Sequence, residues 1–411
     1  MLDDLFALSQ RLLKINNREY KRYFLKQYDF SNRLSILSGQ RGIGKTTVIT
    51  QYVLDTYRKK PFTKKALYIQ ADHFLVNRKS LYEIAEEFVM YGGELLCIDE
   101  IHKYTDWAME LKSIYDTFPT LKVIVSGSSV LQINKGSHDL SRRAVQYKMH
   151  GLSFREFLEI VLKTKFPILT LNEILTNHQR IAEKVIKTVE SKNNKVLVLF
   201  KQYLEHGYYP YFSEYKDKLL FARTLEQSVH TTLESDLISV YPELNGITIN
   251  KISKLLSIIA SMVPFTPDMA SLKKMLSIGD ERTLKMYLKY LEDAGIIHLL
   301  MKGKRNLGQL EKPEKIYLNN ANLIYTLTNK ENINIGNLRE TLFLSACSPM
   351  HSVTSTPVGD FLLNDKVVVE VGGKSKTFRQ IKNVADSYLA LDDIEIGINN
   401  KIPLYLFAMQ Y

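Results

Sequence analysis

The chain has little of what would place it outside the cell or in a membrane. It holds only two cysteines in 411 residues, Cys97 and Cys347. They are too few and too far apart for a disulfide framework or a cysteine zinc site. No apolar run approaches the roughly 18 residues that a bilayer crossing needs. The best stretch, Leu255 to Phe265, is interrupted by Ser257, Ser261 and Pro264. The start, Met1-Leu2-Asp3-Asp4, is acidic and carries no apolar signal core, so export is not expected. The expectation is a cytoplasmic, soluble protein with no membrane partner.

The composition otherwise suits a globular chain of two or three domains, with 45% hydrophobic residues. The net charge is +11 and the isoelectric point about 9.2. Basicity of this size fits contact with double-stranded DNA or an acidic partner, because phosphate contacts supply most of non-specific binding. It fits a merely basic surface as well.

The strongest local signal is Gly39-Gln40-Arg41-Gly42-Ile43-Gly44-Lys45-Thr46, which follows the G-x-x-x-x-G-K-[ST] pattern of a phosphate-binding loop. Glycines let the backbone wrap a phosphate closely with its N–H groups. Lys45 is placed to reach the β- and γ-phosphates of ATP, and the Thr46 hydroxyl to coordinate Mg²⁺. Thr47 completes the loop's binding set. Arg33 to Ser38 reads as a strand before the loop, and Thr47 to Leu54 as a helix after it, the order the motif requires.

A second motif, Leu95-Leu96-Cys97-Ile98-Asp99-Glu100, reads as a buried parallel strand with two acids at its carboxyl end. Ligands of open α/β sheets bind at that end. Alternate side chains on a strand point to opposite faces, so the two acids can divide the work. Asp99 would hold Mg²⁺ and Glu100 would polarise the attacking water. Ala66 to Asp72 and Leu121 to Ser129 read as further strands. Arg142 and Arg143 follow them. Either arginine could neutralise transition-state charge, in its own subunit or a neighbour's; alternatively the pair is solvated or faces DNA.

These motifs, with Val125-Ser126-Gly127-Ser128-Ser129 and Gly151-Leu152-Ser153-Phe154-Arg155-Glu156-Phe157 in sequence order, resemble bacterial and archaeal AAA-family ATPases that carry a C-terminal, nuclease-like domain of unknown function. Tyr203-Leu204-Glu205-His206-Gly207-Tyr208-Tyr209-Pro210 resembles that family's Gly-aromatic-Pro signature. The resemblance implies an α/β fold: a P-loop, AAA-like parallel-sheet core, then a helical and winged-helix segment, then a small C-terminal domain related to PD-(D/E)XK nucleases. It also implies a γ-phosphate sensor at the end of the fourth strand, where Ser126 and Ser128 are the candidates. Both serines would serve equally well as helix caps. Oligomerisation is compatible with such a core.

The expected division is an ATPase domain over 1–160, a helical linker over 161–245, a winged helix over 246–330 and the nuclease-like domain over 331–411. In the third part, Asp280 is placed to cap a helix from Glu281 to Ala294 that ends at Gly295, with Arg282, Lys285 and Lys289 on its exposed side. Such a helix can enter a major groove, and it can equally serve as a lid or protein contact. In the last part, Asp360, Glu370 and Lys374 resemble the nuclease triad, with Glu340 as an additional helical acid. The usual Glu-x-Lys spacing is absent. Lys374 lies four residues after Glu370, so a Gly372-Gly373 bulge would be needed to bring it back. The expected function is Mg²⁺-dependent ATP hydrolysis that repositions the later domains on DNA or a protein partner. The alternatives are an ATP-gated DNA endonuclease and a slow nucleotide-controlled switch.

Overall fold

Five short strands, four of them largely buried, build the sheet on which the first two motifs sit. The computed structural model of the chain describes residues 2–127, 140–262, 266–303 and 311–411. Ser128, one of the two sensor candidates, lies outside them. The chain forms two compact units, Met1–His150 with Glu234–Leu244, and Gly151–Leu233 with Asn245–Tyr411.

In the first unit, β1 (Leu34–Ser38), β2 (Ala66–Gln70), β3 (Leu95–Asp99), β4 (Lys122–Gly127) and β5 (Ala144–Lys148) are ordered β2-β3-β4-β1-β5. Every neighbouring pair is parallel. All carboxyl ends therefore lie on one edge, and β4 stands between the loop-bearing β1 and the acid-bearing β3. β1 and β3 are buried along their whole length, as expected where helices cover both faces of a parallel sheet. Leu34, Ile36, Leu67, Ile69, Leu96, Ile98, Val123 and Val125 share one core with Leu5 and Phe6 of the helix Leu2–Asn16 and with Ile84, Phe88, Leu111 and Ile114. That first helix buries Leu5, Phe6, Ser9 and Leu13 on one stripe, at helical spacing. Its Ser9 hydroxyl accepts the Tyr68 N–H at 3.0 Å, satisfying a donor of the edge strand β2.

The second unit begins with a helix, Phe154–Leu162, started by a capping box in which Ser153 and Glu156 bond reciprocally. Phe154 packs among Phe157, Phe200, Tyr203 and Tyr405. Three helices, Gly246–Met262, Met269–Leu276 and Glu281–Asp293, then lead into the antiparallel pair β6 (Ile297–Leu300) and β7 (Lys315–Leu318). Asp280 caps the third helix through Arg282 N–H at 3.1 Å, and Leu284, Tyr287, Leu288 and Leu291 are among its buried residues. A five-stranded mixed sheet closes the chain, in the order β12-β11-β10-β9-β8. Its strands are β8 (Val353–Thr354), β9 (Phe361–Leu363), β10 (Val367–Gly372), β11 (Ser387–Leu391) and β12 (Lys401–Pro403). β8, β9 and β10 run antiparallel, and β10, β11 and β12 parallel. The helix Ile335–Cys347 packs on β10. The overall class is thus α/β, with a P-loop-type core, a helical stretch and a mixed α/β C-terminal region.

One buried arginine ties the start of the second unit to its end. Arg155 Nη1 lies 2.9 Å from Glu159 Oε1, both side chains almost wholly buried, and Arg155 Nε donates to the Tyr411 carbonyl at 2.9 Å. Glu159→Ala would remove the carboxylate paired with a buried guanidinium and is predicted to lower stability by about 3–5 kcal/mol in urea titration. A change below about 1 kcal/mol would show the pair to be screened as a surface bridge is.

Candidate nucleotide site

The loop from Gly39 to Thr46 leaves the carboxyl end of β1 and opens the helix Lys45–Thr56. Gly39 has φ +156°, and a Cβ there would stand 2.5 Å from both Ile43 Cδ1 and the Met149 carbonyl oxygen. Gly44 sits in the left-handed region at φ 96° and starts the helix. Arg22, itself buried, donates to the Ile43 carbonyl at 2.7 Å and to the His150 carbonyl at 2.8 Å. These contacts pin the loop from outside its own segment. Gly39, Gln40, Arg41, Gly42, Ile43, Gly44, Lys45, Thr46 and Thr47 are therefore one continuous turn-and-helix start with its N–H groups at a helix N-terminus, an arrangement suited to a phosphate.

Lys45 is only 4% exposed. Its ammonium donates to the carbonyls of Gly39 at 2.9 Å and Gln40 at 2.8 Å. Burial pushes its pKa below the ordinary lysine value, and the charges of Glu100, Asp99 and Asp236 pull it back up.

Asp99, fully buried, is the hub of the neighbouring strand ends. Its Oδ2 accepts from the Thr46 hydroxyl and from the Tyr68 hydroxyl, both at 2.6 Å. Its Oδ1 accepts from Ser126 Oγ and from the Glu100 N–H. Ser126 thus sits at the strand end expected of it, bonded to Asp99. A hydroxyl and a carboxylate in contact, with neither nitrogen nor sulfur in the set, form a donor pair that fits a hard divalent cation such as Mg²⁺. Among the described residues no group of three or more His, Cys, Asp or Glu side chains could hold a metal by itself. That is compatible with a site that relies on phosphate oxygens and water for its remaining ligands.

Glu100 follows in the left-handed backbone region, φ 53°, a conformation an ordinary residue adopts at some cost. Its Oε2 is buried and accepts no hydrogen bond among the described residues. His102 Nε2 lies 3.4 Å from that oxygen and 3.8 Å from Asp236 Oδ1. Arg41 Nη1 lies 3.7 Å from the same Asp236 oxygen.

The structure does not bring the arginine pair to this edge. Arg143 precedes β5, whose first residue Ala144 pairs with Leu34 at the start of β1. It therefore lies at the amino edge, about 16 Å along the strand from the loop. It binds Asp116 there through Nε at 2.8 Å and Nη2 at 2.9 Å. Arg142 is its neighbour at the same edge. A role at the phosphate in their own chain is corrected by this geometry, because a parallel strand starts at the edge opposite its ligand end.

The C-terminal acids meet lysines. Glu340 Oε2 accepts from Tyr317 at 2.8 Å and from Lys315 at 3.1 Å, and Lys315 Nζ also lies 3.7 Å from Asp360. Asp360 Oδ2 accepts the Val371 N–H at 2.8 Å. Burial raises the Glu370 pKa, and the lysine paired with it is Lys376. The expected partner, Lys374, is exposed instead. The two glycines explain the difference. A Cβ on Gly372 would stand 2.7 Å from Lys376 Cβ, and one on Gly373 would stand 2.8 Å from Arg339 Nη1. The smallness of Gly372 admits a lysine from two residues further on, and that of Gly373 admits Arg339. On the helix Glu281–Asp293, Lys285 and Lys289 pair with Glu281 and Asp293 of the same helix.

Residues 31–158 match the family model of an AAA domain, and residues 197–334 match a domain of unknown function (DUF8612). An uncharacterized protein of Methanocaldococcus jannaschii, MJ1637, is 26% identical, with 96% of this chain and 89% of that protein covered. Among solved structures, the Walker-type ATPase PABY2304 of Pyrococcus abyssi aligns at 14% identity and a TM-score of 0.39, covering 76% of this chain and 97% of that one. AMPPCP-bound DnaA of Aquifex aeolicus aligns at 13% identity and 0.24, covering 71% and 88%. Among the described residues no helix is long and apolar enough to cross a membrane.

Tyr68, His102 and Asp236 went unassigned in the sequence. Tyr68 sits inside an apolar strand and His102 two residues past the acid pair, whereas nothing local marks Asp236. Tyr68→Phe removes one donor from a buried carboxylate and is predicted to cost about 1–3 kcal/mol of stability in urea titration. An unchanged midpoint would show Asp99 satisfied without it.

Proposed function

We propose that the chain is a Mg²⁺-dependent ATPase. The observation that carries this reading is the convergence of Lys45, Thr46, Asp99 and Ser126 at one sheet edge, with the unbonded Glu100 oxygen beside them. ATP would seat its β- and γ-phosphates on the loop N–H groups, and Lys45 would exchange the Gly39 and Gln40 carbonyls for phosphate oxygens. Thr46 and Asp99 would hold Mg²⁺, which when bound neutralises charge on the phosphates. Glu100 Oε2 takes a proton from water as the water oxygen bonds to the γ-phosphorus. The bond from that phosphorus to the bridging oxygen breaks, and ADP leaves with the electron pair. Ser126, through Asp99, keeps the cation-holding carboxylate in place as charge moves.

The use of this energy is the finer part of the proposal. The backbone passes between the two units after His150, Leu233 and Leu244, so a change at the loop has three covalent routes to the second unit. The net charge of +11 supports double-stranded DNA as the partner on which that unit is repositioned. A protein partner fits the same routes.

Lys45→Ala is predicted to lose ATP hydrolysis by at least a hundredfold. Glu100→Gln is predicted to keep ATP binding within a few-fold of wild type while turnover falls by a comparable factor. Phosphate release and equilibrium binding, measured side by side, check both. Normal turnover in Lys45→Ala, or lost binding in Glu100→Gln, would contradict the roles. Adding double-stranded DNA should change the wild-type rate, and an unchanged rate would point to a protein partner.

A further inference from the structure

Asp236 is a carboxylate buried to 3% exposure beside the nucleotide loop, although it lies far beyond the sheet in sequence. It is carried by Glu234–Leu244, the one segment that returns to the first unit after the chain has entered the second. A π-turn, Thr232–Asp236, delivers it; such turns are rare and recur at functional positions. The short helix that follows, Leu237–Val240, buries Leu237 and Val240 and packs on the turn Ile101–Lys103 behind Glu100.

A buried carboxylate needs compensation. Around Asp236 stand Arg41 at 3.7 Å and His102 at 3.8 Å, and its charge also acts on the Lys45 ammonium. Arg41 and Lys45 belong to the loop on which a triphosphate would sit. A bound nucleotide therefore brings several negative charges toward cations that Asp236 already engages, in a partly dry site where repulsion is weakly screened.

We infer that Asp236 is a built-in anionic competitor of the nucleotide, so that nucleotide binding and the docking of Glu234–Leu244 oppose each other. The inference rests on the nucleotide reading above and adds a route out of the site. Loading the loop loosens a segment whose two ends both continue into the second unit. Coupling of this kind is reciprocal, so the segment's hold weakens nucleotide affinity by the factor that the nucleotide weakens the hold.

The test uses the full chain and ATPγS with Mg²⁺. Asp236→Asn keeps the shape and removes the charge, and it should bind ATPγS roughly five- to fifty-fold more tightly than wild type in calorimetric titration. Asp236→Glu, which keeps the charge, should stay weaker than Asp236→Asn. In wild type, saturating ATPγS should speed amide hydrogen exchange in 234–244. Equal or weaker binding by Asp236→Asn, or exchange in 234–244 that is unchanged or slowed while ATPγS is bound, overturns the inference and leaves the ATPase reading standing. No binding of ATPγS by wild type removes both. If Asp236→Asn does not fold, the wild-type exchange measurement decides alone.

Discussion

A lysine ammonium buried at the carboxyl edge of a parallel sheet is the constraint on which the first unit depends. Taken from water, the Lys45 charge is costly, and two loop carbonyls with three nearby carboxylates must compensate it. The carbonyls come from the loop itself. The carboxylates come from β3, from the residue after it, and from a segment more than a hundred positions further on. Holding all of them within reach requires the strand order in which β4 separates β1 from β3. It also requires Arg22 to fix the outside of the loop.

Asp99 is the second half of that constraint. Three hydroxyls, from Thr46, Tyr68 and Ser126, converge on its carboxylate from three different elements. This satisfies a buried charge, and it places the oxygens of Thr46 and Asp99 together where a hard cation and phosphates would share them. Glu100, one residue on, sits in the left-handed backbone region and keeps a buried oxygen without a hydrogen bond among the described residues. Adjacent acids thus differ in environment: one is surrounded by donors, and the other keeps a buried oxygen that no donor among the described residues reaches.

What was legible in the sequence follows from the range of the interactions. The loop and the acid pair are local patterns whose geometry is set by glycine φ angles and strand alternation, so Gly39 to Thr46 and Asp99-Glu100 could be read directly. The helix Glu281–Asp293 was legible for the same reason, from the Asp280 cap and the periodic Leu284, Leu288 and Leu291. Arg142 and Arg143 misled because nearness in sequence to β4 says nothing about which edge β5 starts from. Lys374 misled because only the packing around Gly372 shows that Lys376 is the lysine that fits. Asp236 could not be read, since only the return of the chain brings it to Arg41 and His102.

Glu340, Asp360 and Glu370 of the C-terminal region are matched by Lys315 and Lys376, and two basic residues of the helix Glu281–Asp293 are matched by acids of their own helix. Charge that looked available in the sequence is therefore partly spent inside the second unit. The weight of the functional account falls on the sheet edge of the first unit. The most direct test is phosphate release from ATP by the purified full chain. The account predicts repeated turnover with Mg²⁺ and none once the cation is chelated. A folded chain that releases no phosphate from ATP with Mg²⁺ present, alone or with double-stranded DNA, would contradict it.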